Sequence, residues 1–232
     1  MIISHKHKFI YIKTFKTASS SMESFLTSFC GPDDIITETF PAARKHRAVQ
    51  AQNFRVTDHP KLPKRPLWRK LIGKPERYYH QSVGYWDHMP GWQARQYIGE
   101  DIWNSYFKFS FERNPWDRQV SFFKFKHRNK DELSSFENSF KRKDKWFVDN
   151  YGLYSQAGDV AVDFLGRYEN LAEDFATVLE RIGLDSIQEL PFVNVGEAEK
   201  NPKAYRDYYN KHTRKFVEEW YSPEIELFGY EF

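Results

Sequence analysis

The chain has 232 residues, is 40% hydrophobic and 18% aromatic, and carries 35 Lys and Arg against 32 Asp and Glu, a net charge of +3. That length suits a single domain over 1–232 with a real core, able to bury roughly 70–75% of its unfolded surface; so weak a charge excess does not point to a nucleic-acid binder. No run approaches the ~18 apolar residues of a membrane span, and the apolar stretch Phe9-Ile10-Tyr11-Ile12 is broken by Lys13. It is too short for a secretory signal, so the expected location is cytoplasmic. Cys30 is the single cysteine, and the eight histidines include no i,i+4 pair and no H-E-x-x-H, so neither an intrachain disulfide nor a metal site is expected.

In chain order, the first predicted unit is a short strand over Phe9–Ile12, a turn, and a helix. Met22, Phe25, Leu26 and Phe29 fall at i, i+3, i+4 and i+7 on one helical face, and Gly31-Pro32 stops it. A basic excursion follows at about 41–80. Between Pro41 and His80 there are 11 Lys and Arg against two acids, with five prolines that interrupt regular structure. It reads either as a solvated loop or as a surface that receives an anionic substrate. Next come an aromatic group (Tyr78, Tyr79, Tyr85, Trp86), His88, and a helix from Pro90 carrying Trp92, Ile98 and Trp103.

The second unit is a strand with Tyr106, Phe107, Phe109 and Phe111, ending at Arg113. Asn114 is a good N-cap, Pro115 suits the first helical position, and Asp117 sits where a carboxylate favours the positive helix end. In the third, Val162, Phe164 and Leu165 form a strand before Arg167-Tyr168-Glu169. The helix after it takes Asn170 as cap and Leu171, Phe175, Val178, Leu179 and Ile182 as its apolar face, with Gly183 as terminator. A last helix is predicted from Thr213 to Tyr221. Strands alternating with helices define an α/β class with a central, mainly parallel sheet flanked by helices, and in such sheets ligands bind at the carboxyl ends of the strands.

The first turn, Lys16-Thr17-Ala18-Ser19-Ser20-Ser21, opens a helix with small hydroxyl residues after a lysine. Backbone N–H groups and the positive helix end can receive an oxyanion there, hydroxyls can donate further bonds, and Lys16 adds a point charge. The plainer alternative is that the Ser run only caps the helix. A Walker A sequence is absent, because the one Gly-Lys pair, Gly73-Lys74, runs into Pro75. The second turn, Arg113-Asn114-Pro115-Trp116-Asp117-Arg118-Gln119-Val120-Ser121, offers a guanidinium at the strand end and a hydroxyl two helical turns on. A pair of anion sites of this kind suits a nucleotide phosphorylated at two separate places.

Lys16–Ser21 resembles the 5′-phosphosulfate loop of sulfotransferases that use 3′-phosphoadenosine 5′-phosphosulfate (PAPS), and Arg113–Ser121 is similar to that family's 3′-phosphate motif, R-N-P-x-x-R-x-x-S. Arg167-Tyr168-Glu169-Asn170-Leu171 and Glu226-Leu227-Phe228-Gly229-Tyr230 resemble its carbohydrate branch. The chain departs from the pattern at Phe15 and Ser19, where Pro and Gly are common, and at Glu112, where an apolar residue is commoner. The resemblance implies a P-loop-like three-layer fold. It also implies transfer of a sulfuryl group from PAPS, without a metal, to a hydroxyl or amine of an acceptor, first of all a carbohydrate, which the basic excursion suggests is anionic. Lys16, Thr17, Ala18, Ser19, Ser20 and Ser21 would hold the 5′-phosphosulfate, Arg113 and Ser121 the 3′-phosphate. Lys16 would stabilise the leaving group, and His88, of ordinary pKa near 6.5, is the candidate base. Competing readings are a P-loop-type phosphotransferase or kinase and a non-catalytic nucleotide- or glycan-binding module.

Overall fold

The computed structural model describes residues 1–55, 84–127, 135–184 and 204–232. Its centre is a five-stranded sheet of β1 (Ile2–Ser4), β2 (Phe9–Tyr11), β3 (Ile35–Ile36), β4 (Phe107–Glu112) and β5 (Phe164–Arg167), in the order β3-β1-β2-β4-β5. β2, β4 and β5 are parallel, whereas β1 runs antiparallel to both β2 and β3. The predicted parallel units are therefore the working half of the sheet. The antiparallel half comes from Ile2–Ser4 and Ile35–Ile36, too short to stand out by period.

Alternation along the strands sends side chains into two cores. Phe9, Tyr11, Phe109 and Phe111 pack under helix α1 (Ser19–Thr27) and against Phe175, Val178 and Leu179 of a later helix, Leu171–Arg181. Ile10 and Ile12 point the other way, toward Ala94 of α2 (Gly91–Ile98) and Trp103 of α3 (Glu100–Ser105). The result is helix, sheet and helix in three layers. The helix predicted from Pro90 breaks at Gly99, whose φ of 86° suits glycine alone, so Trp92 and Trp103 lie on separate helices.

A third core forms on α4 (Pro115–His127), where Trp116, Val120 and Phe123 meet Val217 and Trp220 of a C-terminal helix. Asn114 caps α4 as expected, its Oδ1 accepting from the N–H of Trp116 at 3.0 Å. Asn170 does not cap the following helix; its amide donates to the Asp174 carboxylate at 2.9 Å instead. That helix is α5 (Leu171–Arg181), and α6 (Lys211–Trp220) starts on an unpredicted capping box between Asn210 and Thr213. The last helix, α7 (Ser222–Phe228), ends at Gly229.

One buried ion cluster joins these parts. Arg118 of α4 is fully buried, faces the Tyr221 ring at 4.4 Å, and donates to Glu112 at the end of β4 and to Glu224 of α7. Two carboxylates thus share one guanidinium. Burial first, and then the nearby Glu112, push Glu224 up to about 7 against the pull of Arg118. The native state therefore holds a proton there that the unfolded chain gives up near the ordinary carboxylate value, so this contribution to stability is full at low pH and is lost as pH rises through about 7. Glu224→Gln removes the titration. Thermal unfolding followed by circular dichroism should show the variant gaining stability relative to wild type as pH rises from 4.5 to 7.5; a difference that stays constant across that range would contradict the raised carboxyl.

Candidate active site

Because β2, β4 and β5 are parallel, the turns after Tyr11, Glu112 and Arg167 emerge along one edge of the sheet. Pairing continues past the named strands: the Ile12 N–H donates to the Phe109 carbonyl at 2.9 Å, and the Thr14 hydroxyl to the Phe111 carbonyl at 2.5 Å. The first turn then reverses through two left-handed residues, Lys16 (φ 62°) and Ala18 (φ 55°), and α1 begins. Left-handed residues at alternate positions curve successive amides inward into an anion-binding concavity. Ala18 occupies the N-cap without a side-chain hydrogen bond, and the first turn of α1 holds no acid. None of the three serines occupies the N-cap position itself. Ser19 and Ser21 are buried and Ser20 half-buried. The Thr17 hydroxyl is engaged inward with Thr14 at 2.9 Å.

Arg113 leaves β4 and reaches the first turn, its Nη1 donating to the Lys16 carbonyl at 3.1 Å. Its Nε and Nη2 lie on Asp117 at 2.8 and 2.7 Å, and the guanidinium stacks 3.9 Å from the centre of the Tyr168 ring. Ser121 lies one turn beyond Asp117 on α4, and Phe125 one turn further; the Lys16 ammonium sits 4.5 Å over the Phe125 ring. Asp117, Ser121 and Phe125 are spaced at i, i+4 and i+8, so they form one face about 12 Å long. The Arg113 guanidinium lies on Asp117 at one end of that face and the Lys16 ammonium over Phe125 at the other, while the Lys16 backbone stays within hydrogen-bond reach of Arg113.

The third turn locks the second. Glu169 accepts the Asn114 backbone N–H at 2.6 Å and the Tyr230 hydroxyl at 3.1 Å, while Asn114 donates to the Glu231 carbonyl at 3.1 Å. Arg167 donates to the Phe228 carbonyl at 2.8 Å. The two C-terminal motifs thus brace the Arg113 turn. Asp117, Tyr168 and Glu169 were not among the predicted site residues, although Tyr168 and Glu169 lie in a motif already conspicuous in the sequence.

His88 comes to the first turn from far along the chain. Its ring stacks on Phe15 with centroids 3.7 Å apart and planes 11° from parallel. Nδ1 lies 3.0 Å from the Lys13 carbonyl, which can only accept, so Nδ1 carries a proton and in the neutral ring Nε2 presents the lone pair. The imidazole does not cap a helix, since α2 begins after Pro90. Phe15, where the family pattern favours Pro, supplies the platform. Beneath it, the buried Lys13 ammonium lies 2.8 Å from Glu23 and 2.9 Å from Asp87. Burial, the largest single influence, works against ionisation of Asp87, but Lys13 and the other neighbouring positive groups together hold Asp87 well below the usual carboxylate range. His88 Nε2 stands 3.7 Å from Asp87.

Other predicted features fall elsewhere. Tyr85 is a core residue at 3% exposure, Trp86 is half-buried, and Tyr78 and Tyr79 lie outside the described residues, as does the excursion beyond residue 55. Among the described residues no group of three or more His, Cys, Asp or Glu could hold a metal, and no helix is long and apolar enough to cross a membrane.

With this geometry in place, comparison with known proteins gives a family. The chain matches the sulfotransferase family over residues 1–231 and belongs to it. An uncharacterized protein of Archaeoglobus fulgidus is 39% identical over 104 residues, 41% of this chain and 83% of that protein. A crystal structure of a sulfotransferase from Alicyclobacillus acidocaldarius aligns over 97% of this chain and 96% of its own at 17% identity, with a TM-score of 0.48.

Burial, first, and the nearby Lys13 ammonium lower His88 to about 4, against the upward pull of Asp87. The unfolded chain takes up its proton near 6.5 and the native state only near 4, so this contribution to stability is present above 6.5 and is lost as pH falls toward 4. Nitrogen-15 NMR of the imidazole should report a neutral ring protonated at Nδ1 down to pH 5. A midpoint near 6.5 would show that the ring is not buried in this way.

Proposed function

We propose that this sulfotransferase takes PAPS as donor and transfers its sulfuryl group to a hydroxyl or amine of an acceptor, with a carbohydrate as the favoured class. The observation that carries the donor reading is the convergence of Arg113 on the Lys16 turn, its Nη1 on the Lys16 carbonyl, with Ser121 further along the α4 face that Arg113 meets at Asp117. The residues fit such a ligand: an uncapped helix start without acids for one end, and a guanidinium at the strand terminus for the other.

In this reading the backbone amides of the Lys16–Ser21 turn hold the 5′-phosphosulfate, and the Ser20 and Ser21 hydroxyls orient it. Arg113 and Ser121 hold the 3′-phosphate, which displaces part of the Asp117 contact. Bound PAPS supplies the sulfuryl group and a phosphate leaving group. Lys16 stabilises negative charge on the bridging side of that phosphate. His88 Nε2 accepts the proton of the acceptor hydroxyl; the imidazole is neutral at physiological pH and its side chain is 18% exposed. Carbohydrate as acceptor rests on the branch motifs around Tyr168 and Tyr230.

Titration calorimetry with 3′-phosphoadenosine 5′-phosphate and with ATP, each with and without Mg²⁺, tests the donor. Tight binding of the bisphosphate independent of Mg²⁺ supports it; Mg²⁺-dependent ATP binding in its place would favour a phosphotransferase. Lys16→Ala should lower turnover roughly 10²–10³-fold, as removal of an oxyanion donor does elsewhere, and turnover near wild type would take Lys16 out of the chemistry. His88→Ala should lose turnover and its pH dependence together.

Asp117→Asn gives a more discriminating outcome. It frees Arg113 from a partly exposed ion pair, so affinity for the bisphosphate should rise roughly two- to fivefold, while loss of a carboxylate at the start of α4 costs about 0.3–1 kcal/mol of stability. Unchanged or weaker binding, measured by the same calorimetry, would show that Asp117 does not compete for the 3′-phosphate.

A further inference from the structure

Asn150 is fully buried, and its carboxamide is used on every side. Its Oδ1 accepts the Phe15 backbone N–H at 2.8 Å, while Nδ2 donates to the Phe15 carbonyl at 3.1 Å and to Glu112 Oε1 at 3.1 Å. The same Glu112 oxygen accepts the Arg113 backbone N–H at 2.9 Å. A continuous path of hydrogen bonds therefore runs through the interior from the residue before Lys16 to Arg113. It is separate from the direct contact of Arg113 with the Lys16 carbonyl.

The chemistry of the position is restrictive. One side chain must accept from an N–H and donate to two oxygens within the reach of a short stem, which a carboxamide does and a carboxylate or hydroxyl does not. The turn it holds contains two non-glycine residues in the left-handed region, Lys16 and Ala18, a backbone state that persists where surrounding contacts over-determine it. Asn150 grips both backbone polar groups of the residue immediately before that turn.

We propose that Asn150 is a positioning residue that, acting with Glu112, keeps the Lys16 turn and Arg113 in the register that lets one ligand be gripped at both ends. The inference rests on the bisphosphate reading above. A buried asparagine that only fills space would affect thermal stability and leave ligand affinity of the folded protein alone.

The test is calorimetry with 3′-phosphoadenosine 5′-phosphate at a temperature where each variant is fully folded by circular dichroism. Asn150→Asp abolishes both donations and sets a carboxylate against the Phe15 carbonyl and Glu112. It should weaken binding roughly ten- to 100-fold, the range for buried polar groups left unsatisfied. Asn150→Ala, which removes the same donations without adding a charge, should weaken binding in the same direction, which separates the lost hydrogen bonds from charge repulsion. Bisphosphate affinity equal to wild type in folded Asn150→Asp or Asn150→Ala would overturn the inference. If Asn150→Asp does not fold, native-state hydrogen exchange on the wild type decides: the Phe15 amide should exchange as slowly as those of β4 without ligand, and exchange as fast as exposed loop amides would overturn the inference. Absence of bisphosphate binding by the wild type would overturn the donor reading itself and this inference with it, whereas binding by the wild type with an indifferent variant overturns only the latter.

Discussion

Glu112 ends β4, the middle one of the three parallel strands, as a fully buried carboxylate, and the arrangement of the site follows from how that charge is compensated. Leaving such a group without a partner costs several kcal/mol. Here Arg118 meets it from α4, the Arg113 backbone N–H from the second turn, Asn150 from a distant segment and Tyr154 through its hydroxyl at 3.1 Å. Arg118 carries the connection on to Glu224 and Tyr221 near the C-terminus. Strand, helix and C-terminal segment are tied at the place where the Lys16 and Arg113 turns leave the sheet. A residue that departs from the family pattern is thus the node of the scaffold.

A second buried polar group lies on the other side of the Lys16 turn. Lys13, Glu23 and Asp87 form a compensated cluster below Phe15, and Arg47 reaches Glu23 at 2.6 Å. His88 sits between this cluster and the aromatic platform, neutral and with its lone pair on Nε2. The turn is therefore held from one side by an amide–carboxylate pair and from the other by a stacked imidazole. Donors fixed before any ligand arrives need no reorganisation when charge develops, which is the main electrostatic advantage an enzyme has over water.

Much of this was legible in local spacing. Asn114, Pro115 and Asp117 form a helix start whose physics is complete within four residues, and the structure begins α4 there. Phe109 and Phe111 alternate with Lys108 and Ser110 at the period of two that marks a strand, and both phenylalanines enter one core. Lys16 and Arg113 with Ser121 stand out as candidates because each turn carries groups suited to an anion. By contrast, Asn170 has the right identity for a cap and the wrong partner, because Asp174 lies one helical turn away and takes its amide.

Residues contiguous in the chain announce helix starts, strand faces and anion turns, because hydrogen bonds between near neighbours and side-chain periodicity are short-range effects written in order. What brings Asn150 to Phe15 across 135 positions, or His88 to Lys13 across 75, is the closing of three layers around a sheet. No local rule marks an asparagine as a clamp or a phenylalanine as the seat of an imidazole. Those roles exist only once burial removes water and leaves each polar atom a single partner within reach.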